Sequence, residues 1–355
     1  MVDPRVSEHA RILVEWSTEV KKGDMVVINT SLDGYPLALE TVKWVAKKGG
    51  SAIVLLNTQE MSKAYYDSAP DEFLDIFPEH YYALLEKSDV IINIRSPENT
   101  KGLSGVPSEK IMKRNKALEK MREVILPKRW SLTVHPNNAL AQQANMSLSD
   151  YQDFVYGATL LDWEKESENM LKLKAKLDGK KQIRIIGVET DITASVEGRT
   201  WVASTAKHNL PSGEVFTSPI ETTVEGKVYF DIPFLFNGVE IQGVRLKFEK
   251  GEVVEFSAEK GEEMLEKILN IDPGAKRLGE IGIGTNRGIK RFTLNMLFDE
   301  KIGDTIHLAL GNAYPQCGGT NKSAVHVDIV KTMKPGKIIA DGEVIQENGK
   351  FFWEI

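Results

Sequence analysis

The sequence predicts two domains: an N-terminal α/β domain built on a parallel sheet, residues 1–179, and a C-terminal β-rich α+β domain, residues 180–355. Three observations lead there. The chain has 355 residues, more than one ordinary hydrophobic core accommodates. Its first half repeats strand, helix, strand with short connections, the pattern of a βαβ unit. Its second half is cut into short β-like runs by Gly and Asn.

In the first half, Val6, Ile12, Leu13 and Trp16 recur at helical spacing, and Gly23-Asp24 ends that pattern before a short apolar strand at 25–28. Residues 37–46 read as a helix closed by Gly49-Gly50, and residues 51–56 as the next strand. The unit recurs as a helix over 81–87, a strand over 89–94, a charged helix over 109–122 with Ile111, Leu118 and Met121 inward, and a strand over 129–133. No phosphate-binding glycine loop follows any of these strands, so the layer reads as scaffold rather than a nucleotide site. A polar helical run over 147–177, striped by Leu160, Leu161, Met170, Leu171 and Leu173, stops at Asp178-Gly179 and sets the expected boundary. Beyond it, strands are expected at 182–186, 191–196, 227–230, 239–248 and 253–256, interrupted by one helix at 261–269. The aromatic end Phe351-Phe352-Trp353 reads as packing into a core or a subunit contact.

Composition narrows the partners. Forty-five basic against fifty-one acidic residues give a net charge of −6, and no Lys/Arg-rich run marks a nucleic-acid or membrane footprint. The longest apolar runs are far shorter than a bilayer span, and MVDPRVSEHARILVEW lacks a basic-then-apolar leader, so a cytoplasmic protein is expected. The single cysteine, Cys317, makes neither an intrachain disulfide nor a cysteine zinc site. Any metal must be held by His, Asp, Glu or Tyr.

Residues 305–330, TIHLALGNAYPQCGGTNKSAVHVDIV, carry the densest chemistry. Period-two alternation puts Ile306, Leu308 and Leu310 on one face and His307 on the other, beside the small Ala309. In the second run Val325, Val327 and Ile329 share a face, which turns His326 and Asp328 together to the opposite side. An imidazole nitrogen and a carboxylate a few ångströms apart suit a divalent metal such as zinc. Two ligands alone make a weak site, and a lone His is more often a hydrogen-bonded core residue. Glu214 in NLPSGEVFTSP and Glu280 in GEIGIGTN each sit beside a Gly-rich turn, where a glutamate is ordinarily solvated. Tyr314-Pro315 closes the loop after His307. Arg199 and Trp201 read as ordinary strand packing, and His9, His80, His135 and His208 as surface residues or as residues lying behind the ligands. Gly282-Ile283-Gly284 with Gly288 has the wrong spacing for a dinucleotide loop, and Lys322-Ser323 lacks the glycines of a nucleotide-binding P-loop.

Together, NLPSGEVFTSP, GEIGIGTN, IGDTIHLALGNAYP and SAVHVDIV resemble, in order and character, the M29 family of metallo-aminopeptidases, the aminopeptidase T group. The resemblance is specific over about residues 190–330 and looser before them, where RWSLTVHPNNALAQQANMS resembles the end of that family's N-terminal domain. It implies two divalent ions per chain, zinc foremost, with cobalt, manganese or magnesium as alternatives. The implied metal ligands are Glu214, Glu280, His307, His326 and Asp328, with Glu280 bridging and Tyr314 at or beside the metal. Glu280 and Tyr314 are the implied catalytic residues, Tyr314 as ligand or as hydrogen-bond donor to the oxyanion. The implied reaction is hydrolysis of the N-terminal residue from peptides with a free amino terminus, carried out by a homodimer. Two rivals share the ligand chemistry: a two-metal phosphoesterase, which needs a basic cleft that these stretches lack, and a non-catalytic peptide-binding protein, which loss of a ligand would signal.

Overall fold

The structure, a computed structural model, describes residues 3–354. The chain forms two compact units, residues 1–161 with 206–211, and residues 162–205 with 212–355.

The first unit is built on four parallel strands, β1 (Met25–Thr30), β2 (Ser51–Leu56), β3 (Val90–Arg95) and β4 (Arg129–Val134), in the order β2-β1-β3-β4. A two-residue strand, β8 (Asn209–Leu210), extends it in parallel beside β4. The strands following β1 lie on opposite sides of it, so the direction of winding switches there. Val26, Val27 and Ile28 of β1 and Val90, Ile91 and Ile92 of β3 are buried in succession, as expected of a sheet covered on both faces. Each such side chain contributes about 1.5–3 kcal/mol when fully buried. Among the covering helices, Tyr35–Lys47 starts with Pro36 in its first turn and turns Leu37, Ala38, Thr41 and Val45 inward.

Several helices differ from the sequence reading. Helix Gln59–Ser68, which the reading left out, is capped by Thr58, whose hydroxyl accepts the Met61 N–H at 3.1 Å. The charged helix expected over 109–122 is two, Ser108–Ala117 and Met121–Ile125. The run over 147–177 is also two, Leu148–Thr159 and Trp163–Leu177. The second is started by the Asp162 carboxylate, which accepts the Lys165 N–H at 3.2 Å. His9 is a correction of another kind: it is completely buried, its Nε2 2.7 Å from Thr133 Oγ1. That hydroxyl donates to Leu210 O, so the imidazole Nε2–H donates to the hydroxyl oxygen.

The second unit holds an eight-stranded antiparallel sheet of β5 (Gln182–Gly187), β6 (Thr190–Ser195), β10 (Glu225–Phe230), β13 (Val244–Glu249), β14 (Glu252–Ser257), β18 (Gly336–Ala340), β19 (Glu343–Glu347) and β20 (Lys350–Phe351). Their order is β14-β13-β10-β6-β5-β18-β19-β20. A small hairpin pairs β11 (Phe234–Phe236) with β12 (Val239–Ile241). The strand expected over 239–248 is therefore two, parted at Gly243, whose φ of +66° suits glycine. A second antiparallel sheet has the order β17-β16-β15-β9-β7, from β7 (Val202–Ser204), β9 (Glu214–Thr217), β15 (Leu278–Gly284), β16 (Thr305–Gly311) and β17 (His326–Thr332). Ile281 and Leu308 from this sheet and Ile183, Ile185 and Ile192 from the larger one line the same small internal gap, so the apolar face of the five-stranded sheet packs on the eight-stranded one.

Candidate metal centre

The other face of the five-stranded sheet gathers all five expected ligands. Cross-strand register explains how they fit. His307 stands opposite Gly282, Glu214 opposite Gly284, His326 opposite Gly311, and both Glu280 and Asp328 opposite Ala309. Directly opposed residues point to the same face, so each long polar side chain has a glycine or alanine beside it. The clearance is tight. A Cβ on Gly282 would lie 1.9 Å from His307 Nε2, and one on Gly284 would lie 2.1 Å from Ile302 O. The alternating glycines of GEIGIG thus make the slot for the imidazole and let the next backbone segment approach.

Two overlapping groups result, Glu214 with Glu280 and His307, and Glu280 with His326 and Asp328, their ligand atoms within 4.8 Å of one another in each. Glu280 belongs to both: Oε1 is 3.3 Å from His307 Nε2, and Oε2 is 3.1 Å from His326 Nε2. Glu214 Oε2 is 3.4 Å from His307 Nε2, and Asp328 Oδ1 3.5 Å from His326 Nε2. Tyr314 stands beside them, its ring 5.0 Å from that of His326 and 5.4 Å from that of Phe216.

Backbone carbonyls orient both imidazoles. His307 Nδ1 is 2.9 Å from Glu300 O, and His326 Nδ1 is 2.7 Å from Asn312 O. A carbonyl only accepts, so each Nδ1 carries the proton and, in the neutral ring, each Nε2 turns a lone pair toward the carboxylates. This is how a metal-ligating histidine is held. His326 Nε2 and Asp328 Oδ1 are also buried without a hydrogen-bond partner. Lone pairs facing carboxylates, and orphaned buried acceptors, fit a cation between them. Protons compete for the same place. Burial lowers His307, but the hydrogen bond to Glu280 and the nearby carboxylates outweigh it and raise it to about 10. Burial likewise opposes, and Asp328 and Glu280 overcome it to raise, His326 to about 12. Burial pushes the Asp328 carboxyl up, yet His326 beside it holds it down at about 2. Glu214 is raised by burial, against the pull of Lys301 and His307.

Two participants escaped the sequence reading. Lys301 is wholly buried, its Nζ 3.7 Å from Glu214 Oε1 and in contact with Glu300 Oε1. Burial raises the Glu300 carboxyl to about 8 despite Lys301. The available signal was the triplet Asp299-Glu300-Lys301 between Phe298 and Ile302, which resembles a solvated turn. Arg199 and Trp201 sit in packing roles: Arg199 pairs with Glu221 at 2.8 Å, and Trp201 is buried. Cys317 is buried and free, its thiol pushed up to about 12 by desolvation.

Fold and site define a protein with an all-nitrogen-and-oxygen pocket suited to divalent cations, carried on the smaller sheet of a β-rich unit. A model of the family described as "Thermophilic metalloprotease (M29)" matches residues 2–351, and the chain belongs to that family. Relatives include "Aminopeptidase 2" of Geobacillus stearothermophilus, 27% identical over 381 aligned residues and 92% of each chain. "Aminopeptidase T" of Thermus thermophilus is 27% identical over 371 residues and 90% of each chain. Among solved structures, wild-type AmpT from Thermus thermophilus superposes with a TM-score of 0.86 at 24% identity, covering 98% of this chain and 99% of that one. A 2,5-dihydroxypyridine dioxygenase from Pseudomonas putida shares the fold at a TM-score of 0.62 and 13% identity, over 98% of this chain and 96% of that one. The fold therefore supports more than one chemistry, and the side chains on it have to decide.

Proposed function

We propose that this chain is a metal-dependent aminopeptidase whose second unit holds two divalent ions. Glu214, Glu280 and His307 would hold one, and Glu280, His326 and Asp328 the other. The observation that carries this reading is Glu280, whose two oxygens face two differently placed imidazoles. Divalent cations there supply a more acidic water and a polarised carbonyl. Three carboxylates offset the charge of two dications and leave a surplus positive charge, and the neutral histidines do not cancel it. N/O ligands suit zinc foremost, with cobalt, manganese or magnesium able to substitute.

The chain's own residues account for the rest. Nδ1–H bonds to Glu300 O and Asn312 O fix both rings, so ligand geometry is set before substrate arrives. Tyr314, about a third exposed and next to His326, would ligate a metal or donate its hydroxyl proton to an oxyanion developing on the scissile carbonyl. In the metal-free site burial and then Glu280 and Asp328 raise its phenol above the usual range. A substrate's free amino terminus, as a neutral amine, would be drawn to that surplus positive charge, the preference of an exopeptidase. The phosphoesterase rival is disfavoured because Lys301, the buried cation beside these ligands, is committed to Glu214 and Glu300. Within this reading the enzyme is a cytoplasmic homodimer acting on peptides. Among the described residues no helix is long and apolar enough to cross a membrane.

The test is release of free amino acid from Leu-, Arg- and Glu-aminoacyl substrates by chelator-stripped protein reloaded with zinc, cobalt or manganese, with N-acetylated controls. Metal-dependent release from free amines alone is expected. No release with any ion, on protein shown to bind metal, would overturn the reading.

A further inference from the structure

The first unit contains a cavity of about 590 Å³ at the carboxyl ends of β1, β2 and β3, beside the strand where the winding switches direction. Open parallel sheets bind ligands at such a crevice, and the volume is that of a small-molecule pocket.

Its lining sorts by chemistry. On the donor side, Arg95 ends β3 and forms no ion pair among the described residues. It is an exposed residue on the cavity wall, where desolvation lowers its pKa. Arg122, on helix Met121–Ile125, lines the same space and is likewise without an ion pair among the described residues. Asn93 accepts from Asn29 Nδ2 at 2.9 Å, which leaves its own amide protons available. On the acceptor side, Gln59 Oε1 is buried without a partner. Glu98 uses one carboxylate oxygen on the Leu32 N–H at 2.9 Å and keeps the other. Leu126 and Trp130 supply an apolar wall.

An unpaired guanidinium asks for a carboxylate or a phosphate. Two features select the carboxylate. In the turn after β1 the N–H groups that a phosphate loop would present are already used, that of Leu32 on Glu98 and those of Gly34 and Tyr35 on the carbonyls of Ser31 and Leu32. Glu98 also puts a negative charge on the rim. A polyphosphate would meet that charge and find no backbone donors, whereas a molecule with one carboxylate, an N–H donor and an apolar side chain matches every wall.

We propose that this cavity binds an α-carboxylate bearing an apolar side chain, that of a free amino acid or of a peptide's C-terminal residue. The carboxylate lies on the donor side that Arg95 and Arg122 form, its nitrogen faces Gln59 and Glu98, and its side chain packs on Leu126 and Trp130. The site is independent of the metal centre, although a free amino acid is also what the proposed activity would release.

The test is calorimetric titration of full-length, chelator-stripped protein with L-leucine, N-acetyl-L-leucine, L-leucinamide and inorganic phosphate. Saturable binding of L-leucine alone is expected for a free amino acid site, and of both carboxylates for a peptide C-terminus. In either case Arg95→Gln should weaken binding at least about tenfold, the worth of a charged hydrogen bond, while Glu280→Gln leaves it intact. If Arg95→Gln does not fold, Arg122→Gln, at an exposed helical position, carries the same expectation. No binding of either carboxylate, equal binding of L-leucinamide, preference for phosphate, indifference to both arginine variants, or loss in Glu280→Gln would each overturn the proposal. Peptidase activity of reloaded protein is scored separately, so failure of the cavity and failure of the aminopeptidase reading are told apart.

Discussion

Lys301 Nζ lies 3.7 Å from Glu214 Oε1, with the lysine completely withdrawn from solvent. A buried ammonium survives there because Glu214 and Glu300 compensate it. Removing one member of such a group typically costs about 3–5 kcal/mol, since the remaining charges stay buried and unmatched. Lys301→Met is therefore expected to lower stability by that order in denaturant unfolding of metal-free protein. Glu300→Gln, which leaves the Lys301–Glu214 contact, should cost less. Equal, negligible losses would show that the pair does not hold Glu214 in place.

Gly282→Ala isolates the slot that the glycine pattern makes. The added methyl would occupy the place of His307 Nε2, so the ring must move and its bond to Glu300 O must break. Metal affinity is expected to fall about 10–100-fold, the usual consequence of disturbing a ligand's orientation. Titration of stripped protein with zinc, compared with Gly157→Ala, where an added methyl meets nothing within 4 Å, measures it. Unchanged affinity in Gly282→Ala would contradict the slot argument.

Tyr314→Phe keeps the ring beside His326 and Phe216 and removes only the hydroxyl. If that hydroxyl stabilises developing negative charge, kcat should fall roughly a hundredfold with little change in KM. A rise in KM at constant kcat would assign Tyr314 to substrate binding instead.

The buried histidines of the first unit predict acid sensitivity that does not involve the candidate metal ligands. Burial lowers His9 from 6.5 to about 3, and His135 to about 4. A folded-state pKa below the unfolded one gives stability that is complete above about pH 6.5 and is lost as pH falls toward the folded value. Each unit of difference is worth about 1.4 kcal/mol. His9→Gln, which can still donate to Thr133, should flatten the decline in stability between about pH 6.5 and 3. An unaltered decline would mean that other groups set it.

Much of this arrangement is legible in the sequence because strands alternate with a period of two. That periodicity alone put His326 and Asp328 on one face and His307 opposite its apolar neighbours. The glycines of GEIGIG were visible, but their purpose was not, because the imidazole that fills the space comes from a strand more than twenty residues away. Glu300 and Lys301 were missed for a related reason: charges in a short turn look solvated until tertiary packing buries them against Glu214. His9 misled in the opposite direction, since a histidine in a polar-looking helix gives no local sign of the Thr133 hydroxyl waiting for it. Helix Gln59–Ser68 depends on the Thr58 cap and on burial of Tyr66 more than on any long apolar stripe.

The central claim is that Glu280 joins two cation sites. Its most direct test is metal content by atomic emission, on stripped protein reloaded with zinc and dialysed, for the wild type and Glu280→Gln in parallel with the aminoacyl assay. The account expects about two ions per wild-type chain, and loss of both metal and activity in Glu280→Gln. Two retained ions with normal activity in that variant, or one ion in a fully active wild type, would contradict it.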